Sequence, residues 1–407
     1  MSIPLDKLYD FLQHVSEHDV LIYRYFPHGS RKIKNCLPLQ NLDHFSKLDK
    51  FGKMYVFCHD QEPLNLNFFP ELDITEIPGI PFSVFRTVGA NLANKYDKII
   101  LVHSELNSDQ VQWFAKHGAV PVYWWSHAMI ARDWFRYAQH DPNLSKPKQI
   151  AKTFLIYNRA WSGTREYRLK FAELLITHEL VDHTMMGFSP FDEQTHYTQH
   201  QFTNQSLAIT RDDLQRHFLN NCNPSTASAD YCASDYAQTE IEIVLETLFD
   251  DPRQHLTEKT LRAIACGQPF LLLGPRGSLQ YLRDYGFKTF GDYIDENYDQ
   301  VSDPLERMQA VVQQMRDLAN LTGNHKICLL EQMQKIAQYN QQRFFSDEFF
   351  LHVKNQFVDN LNLAAADMQQ HATAAYLKQY CNYLAPQHRQ LLVSDDDLTE
   401  MLKQLDC

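Results

Sequence analysis

Leu256-Thr257-Glu258-Lys259-Thr260-Leu261-Arg262-Ala263-Ile264-Ala265 runs into Cys266-Gly267-Gln268-Pro269-Phe270-Leu271-Leu272-Leu273-Gly274-Pro275. Ser278-Leu279-Gln280-Tyr281-Leu282-Arg283 and Gly286-Phe287-Lys288-Thr289-Phe290 follow. Thr257 is a good N-cap, and Leu261, Ile264 and Ala265 recur at helical spacing. Gly267 follows the last periodic residue, where a left-handed residue ends a helix. Residues 269–273 form a short apolar run, the mark of a strand covered on both faces. Gly274 then turns the chain into a second helix. Helix, stop, buried strand, turn and helix make the repeating unit of a parallel α/β sheet.

The same rhythm extends upstream. Strands are predicted at 20–25, 54–58, 98–103 and 120–124, with helices at 8–15 and 108–117. Residues 140–148 are polar and hold two prolines, which reads as a linker. A second α/β unit follows, with a strand at 154–157, a helix at 164–180 and strands at 184–188 and 241–247. Residues 190–236 read as an irregular polar insertion with a short helix near 212–219. Beyond Asp303 helices are predicted at 307–318, 327–345 and 347–363, with a helical or mobile tail. The expected architecture is α/β: two doubly wound domains at 1–145 and 150–325, then a helical C-terminal extension at 326–407.

With 44% hydrophobic residues in 407, the chain has the material for a large core and is not of disordered type. A net charge of −12 argues against broad nucleic-acid binding, which needs a positive surface. It leaves room for a local groove: Arg24, Arg31, Lys32 and Lys34 lie among Tyr23, Tyr25 and Phe26. No apolar run reaches the roughly 18 residues of a membrane span, and Met1 to Lys7 lacks the apolar core of a signal peptide. The eight cysteines include no Cys-x-x-Cys pair, and scattered thiols suit a reducing compartment. The expectation is a cytoplasmic protein of a bacterium or phage-infected cell, with no zinc site.

In open parallel sheets ligands bind outside the carboxyl ends of the strands, so residues just after strands carry the chemistry. Lys259 stands in the first turn of its helix, where exposed N–H groups favour acids, and so points to a bound anion. Arg159, Arg165 and Arg168 follow the strand at 154–157 around Gly163 and suit a diphosphate, since guanidinium forks match phosphate oxygens. The alternative is a set of surface arginines paired with Glu166 and Glu173. Glu246 ends the strand before the key helix, suited either to donor hydroxyls or to plain solvent exposure. Gly274 allows a close backbone approach to a ligand, and Tyr298 and Asp299 line the same cleft or merely cover it. In the first domain, Asp60, Glu62, Glu105 and His127 follow strands and are candidate general bases, with Glu62 and Asp60 preferred. Trp124, Trp125, Trp134 and Tyr137 form an aromatic run that reads either as core or as a stacking surface for sugar or base.

Thr257-Glu258-Lys259 with its strand and second helix resembles the donor-binding motif of the alpha-1,3-fucosyltransferases, and more widely that of GT-B glycosyltransferases with a Glu-Lys helix. The resemblance implies that Glu258 contacts the donor's ribose or sugar and that Lys259 contacts its phosphate. It implies Rossmann-like domains, the first for the acceptor and the second for a UDP- or GDP-sugar, and inverting chemistry. Arginines and helix ends neutralise a diphosphate, so no metal or other cofactor is required. The expected acceptor is a saccharide or glycolipid. Two alternatives stay open: a phage-type DNA glycosyltransferase acting on hydroxylated cytosine, and a non-catalytic nucleotide-binding module.

Overall fold

A computed structural model describes residues 22–24, 55–58, 60–64, 99–116, 119–218 and 230–371. The chain divides into two compact units, one built from residues 1–129 with 351–407 and the other from 130–350. The protein is mixed α/β, with a parallel sheet in each unit.

In the first unit β1 (Ile22–Arg24), β2 (Tyr55–Cys58), β3 (Ile99–His103) and β4 (Ala119–Tyr123) pair in parallel in the order β1-β2-β3-β4. Helix α1 (Asp109–Lys116) makes the crossover from β3 to β4, and α2 (Ser126–Trp134) follows β4. Leu101, Val102 and Val122 are fully buried, as the apolar runs require. Trp124 and Trp125 are buried as well, with Trp124 packed on Phe357, so these two members of the aromatic run are core. The helix expected at 8–15 and most of the basic segment at 24–34 lie outside the described residues.

In the second unit β5 (Lys152–Ile156) leads through α3 (Tyr167–Thr177) to β6 (Thr184–Met186). The expected insertion follows, with a hairpin of β7 (Phe191–Asp192) and β8 (Thr195–His196), then short helices α4 (Leu214–Phe218) and α5 (Ala233–Ala237). Next come β9 (Thr239–Leu245), α6 (Glu258–Ala265), β10 (Phe270–Leu273) and α7 (Ser278–Asp284). Helices α8 (Pro304–Asn320), α9 (Gly323–Phe345) and α10 (Asp347–His371) complete the described chain. The parallel order is β10-β9-β5-β6, so the winding direction reverses between β5 and β9. That reversal is the doubly wound pattern, and ligand sites lie at such switch points. Thr257 caps α6, and Gly267 ends it at φ 64°, both as the residue types predict. β9 ends two residues earlier than expected, at Leu245, although Glu246 N still donates to Leu273 O at 3.0 Å.

The expected boundaries differ from those of the two units. Residues 140–148 were expected to link domains at 145 and 150, yet they belong to the second unit. Lys148 Nζ donates to Thr239 O at 3.0 Å and to Gln268 Oε1 at 2.6 Å, fastening this stretch to the sheet's amino end. Helix α9 also belongs to the second unit rather than to an extension starting at 326. The α9 glutamines explain why: Gln341 Nε2 donates to Ala265 O at 2.7 Å and Gln334 Nε2 to Gly267 O at 2.8 Å. They satisfy carbonyls that the end of α6 leaves without helical partners. Residues from Leu351 onward belong to the first unit, where Asn360 Nδ2 donates to Tyr123 O at 2.7 Å. Among the described residues no helix is long and apolar enough to cross a membrane.

The core of the second sheet holds an ion pair. Glu242 on β9 is 0% exposed, and its Oε1 accepts from Arg262 of α6 at 2.8 Å. Tyr236 Oη donates to Glu242 Oε2 at 2.9 Å, and the Arg262 guanidinium lies 4.2 Å from the Tyr157 ring centre. Burial opposes the Arg262 charge, but the carboxylate beside it overrides this and raises its pKa.

Candidate functional site

The switch point of the second sheet brings together the loops after β5 and β9 and the start of α6. Two residues of α3 stitch the first two. Arg168 is 2% exposed; its Nη1 donates to Ala160 O at 2.6 Å, and its Nη2 to Leu245 O at 2.8 Å and Glu246 O at 3.0 Å. Tyr167 Oη donates to Glu246 O at 2.7 Å. The expectation that Arg168 grips a diphosphate is therefore corrected: its outer nitrogens are held by three carbonyls, and it shapes the site from behind.

Glu246 is corrected in the same sense. It is 0% exposed, neither facing solvent nor open to a ligand. Its Oε1 accepts from Thr257 N (3.1 Å), Thr260 N (3.3 Å) and Thr260 Oγ1 (2.5 Å), and its Oε2 from Thr257 Oγ1 (2.7 Å) and Thr247 N (3.2 Å). A carboxylate at a helix N-terminus both satisfies exposed N–H groups and complements the helix dipole. Glu246 thus sets where α6 begins.

On that anchored turn, Lys259 Nζ lies 2.9 Å from Glu258 Oε1, 3.1 Å from Thr247 Oγ1 and 3.3 Å from Thr257 Oγ1. The ammonium is folded over the helix's first turn, and Glu258 is 6% exposed. Cation and carboxylate form an ion pair on this turn. Gly274 serves an internal approach: a Cβ there would meet Ser278 Oγ at 2.8 Å. Tyr298 Oη accepts the Leu272 N–H at 3.4 Å and Asp299 Oδ1 that of Leu279 at 3.2 Å, so this pair covers the edge of β10 and the start of α7.

Arg159 is exposed, Arg165 half-buried and Arg168 buried, so the three differ in their access to a ligand. Residues Gly163–Arg165 form a 3₁₀ turn before α3, so Arg165 precedes the helix that carries Arg168. Glu166 and Glu173 bond the insertion. Glu166 accepts from Thr203 N at 2.9 Å and Asn204 N at 2.7 Å; Glu173 accepts from Thr210 N at 2.8 Å. Asn158, just after β5, is 6% exposed, and neither of its amide atoms has a partner among the described residues.

In the first unit the candidate bases also gather beyond the strand ends. Asp60 is 0% exposed; its Oδ2 accepts from Trp124 Nε1 at 2.6 Å, and its carbonyl from Ser104 Oγ at 2.6 Å and Ser126 Oγ at 2.5 Å. It ties three loops together and, sealed from solvent, does not reach a substrate hydroxyl. Glu105 accepts from Leu64 N and Ser108 Oγ, both at 2.5 Å, and helps to start α1. Glu62 is half-buried beside them. His127 Nε2 lies 2.8 Å from Gln61 O. A carbonyl only accepts, so Nε2 carries the hydrogen and Nδ1 is the basic nitrogen of the neutral ring.

His103 closes β3 and is 4% exposed, and burial lowers its pKa from 6.5 to about 4. Below pH 6.5 the unfolded chain binds a proton that the folded chain refuses, so stability falls as pH drops toward 4. The expected loss from this group is about 3 kcal/mol. Unfolding midpoints of wild type and His103→Gln between pH 4 and 7 test this. The variant should show a shallower acid decline, and parallel curves would disprove the assignment.

A cavity of about 680 Å³ opens at the opposite, amino end of the second sheet, bordered by Lys148, Glu240, Pro269, Ile327 and Gln334. Burial lowers the Lys148 pKa to about 8, against the pull of Glu240. The switch-point rule favours the carboxyl end, where Glu258, Lys259, Asn158 and Arg165 lie. Comparison with known proteins returned no matching family model, curated protein or solved structure.

Proposed function

We propose that this protein is a nucleotide-sugar-dependent glycosyltransferase of the GT-B type. The observation that carries the reading is the Glu258–Lys259 turn, a cation and a carboxylate 2.9 Å apart at the start of α6, on the carboxyl side of a doubly wound sheet. The donor's phosphates interact with Lys259 and with Arg159 and Arg165. Its ribose or sugar hydroxyls interact with Glu258. Positive groups placed beforehand stabilise the charge that grows on the departing diphosphate, so the transfer is metal-independent. The donor is a UDP- or GDP-sugar, and the reaction inverts the sugar's configuration.

The acceptor hydroxyl gives its proton to a base in the first unit, Glu62 or His127. The acceptor is a saccharide or glycolipid. DNA is the weaker choice, because Trp124 and Trp125 are 0% exposed and offer no face for a flipped base.

Purified protein incubated with UDP-, GDP-, CMP- and dTDP-sugars, EDTA and mixed acceptors should release nucleotide from one donor. Lys259→Ala should lower that release about 10²-fold while leaving the melting temperature nearly unchanged. Equal release by wild type and variant removes Lys259 from the site. No release from any donor rejects the transferase.

A further inference from the structure

One carboxylate of the second unit sits where an external anion would bind. Asp192 Oδ2 accepts the backbone N–H of Trp161 at 2.8 Å and that of Ser162 at 2.7 Å. Successive N–H groups converging on one oxygen form the concavity that holds phosphate in many proteins. These distances are those of charge-assisted bonds. The two amides belong to the loop after β5, at the switch point, with Arg159 exposed and Arg165 half-buried on either side of them.

Two independent observations mark this loop as made for a ligand. Asn158 is buried at 6% exposure, and neither its Nδ2 nor its Oδ1 has a partner among the described residues. Buried amides are almost always hydrogen-bonded, and one left open calls for an explanation. Gly163 follows the two amides at φ 61°, and a Cβ placed on it would meet nothing within 4 Å. The loop therefore borders open space at Gly163.

The carboxylate comes from an element suited to move. β7 and β8 have two residues each, and a hairpin of that size has little stability of its own. Its turn residues Glu193 and Gln194 sit at φ 48° and 69°, a region that non-glycine residues disfavour. Both are exposed, and Phe191 beside them is 57% exposed.

We infer that the Trp161 and Ser162 amides form a phosphate site that the chain keeps filled with its own Asp192 carboxylate, and that an incoming phosphoryl group displaces it. The inference rests on the transferase reading only for naming that group as the donor's diphosphate. A phosphate oxygen takes over both N–H bonds, and Asp192 turns out to solvent with the hairpin. No covalent bond changes. In the resting protein Asp192 competes with the ligand and lowers its apparent affinity.

Inorganic pyrophosphate is the probe, titrated calorimetrically into the full chain in EDTA at low salt. Asp192→Ala empties the site, while Asp192→Asn keeps an acceptor oxygen without the charge, preserves the loop and guards against misfolding. The alanine variant should bind pyrophosphate about tenfold tighter than wild type, with the asparagine variant between. Glu193→Ala removes the exposed neighbouring charge and should change the affinity by less than about twofold. Equal affinity in wild type and both Asp192 variants overturns the inference. So does a gain from Glu193→Ala as large as that from Asp192→Ala, or no binding by any form. Wild-type donor turnover without a pyrophosphate gain in the variants sinks the displaced carboxylate and leaves the transferase. A gain without turnover of any donor keeps the phosphate site and removes the transferase.

Discussion

Glu242→Ala should destabilise the second unit by about 3–5 kcal/mol, because it leaves a charge buried without its counter-ion. Glu242 and Arg262 are 0% and 5% exposed at the side chain and lie 2.8 Å apart. With the carboxylate gone, the guanidinium loses its counter-ion and keeps the Tyr157 face at 4.2 Å. Tyr236 Oη loses its acceptor at the same time. The contrast lies in removing all the polar groups together. Glu242→Leu with Arg262→Leu and Tyr236→Phe replaces the network by apolar volume and should recover most of the loss. Urea titrations followed by far-ultraviolet circular dichroism measure both changes. If the combined variant is as unstable as the sum of its parts, the three residues are not coupled and this account fails.

Glu246→Ala should cost about 2–5 kcal/mol, since it strips the acceptor from several buried donors at once. The Thr257 and Thr260 amides are left unpaired, and with them the start of α6 loosens. Hydrogen exchange at residues 260–264 should accelerate before the rest of the sheet responds. On the proposed transferase reading, donor turnover should fall too, because Glu258 and Lys259 no longer stand where the anchored turn holds them. Lys259→Ala gives the opposite signature: turnover lost, exchange at α6 unchanged. A Glu246→Ala protein with native exchange at α6 and reduced turnover would make Glu246 a donor contact after all.

Two strands of the second sheet were legible because residues 269–273 form a short apolar run and residues 241–247 alternate as a strand. Helix α6 was legible because its cap, its periodic face and its terminal glycine are all local signals. Domain boundaries were not. Residues 140–148 carry the composition of a linker, but Lys148 makes bonds to Thr239 and Gln268, about 90 and 120 residues away, and no local pattern encodes them. The role of each charged residue near the switch point was equally hidden. Arg165 and Arg168 look alike in sequence, yet one is half-buried and the other is held by carbonyls of two separate loops. Asp192 gave no signal at all, since its partners are 30 and 31 residues away in an insertion with no regular period.

Local sequence signals were enough to read parallel α/β sheets and a capped helix start at Glu258 with Lys259 in its first turn. Both follow from period, capping and burial, which act over a few residues. Only the tertiary structure decided that Asp60, Arg168 and Glu246 are internal ties and that Asp192 lies on the Trp161 and Ser162 amides. The physical reason is that a charged side chain's role is set by what desolvates it and what it bonds. Those partners arrive from distant parts of the chain once the sheets have formed.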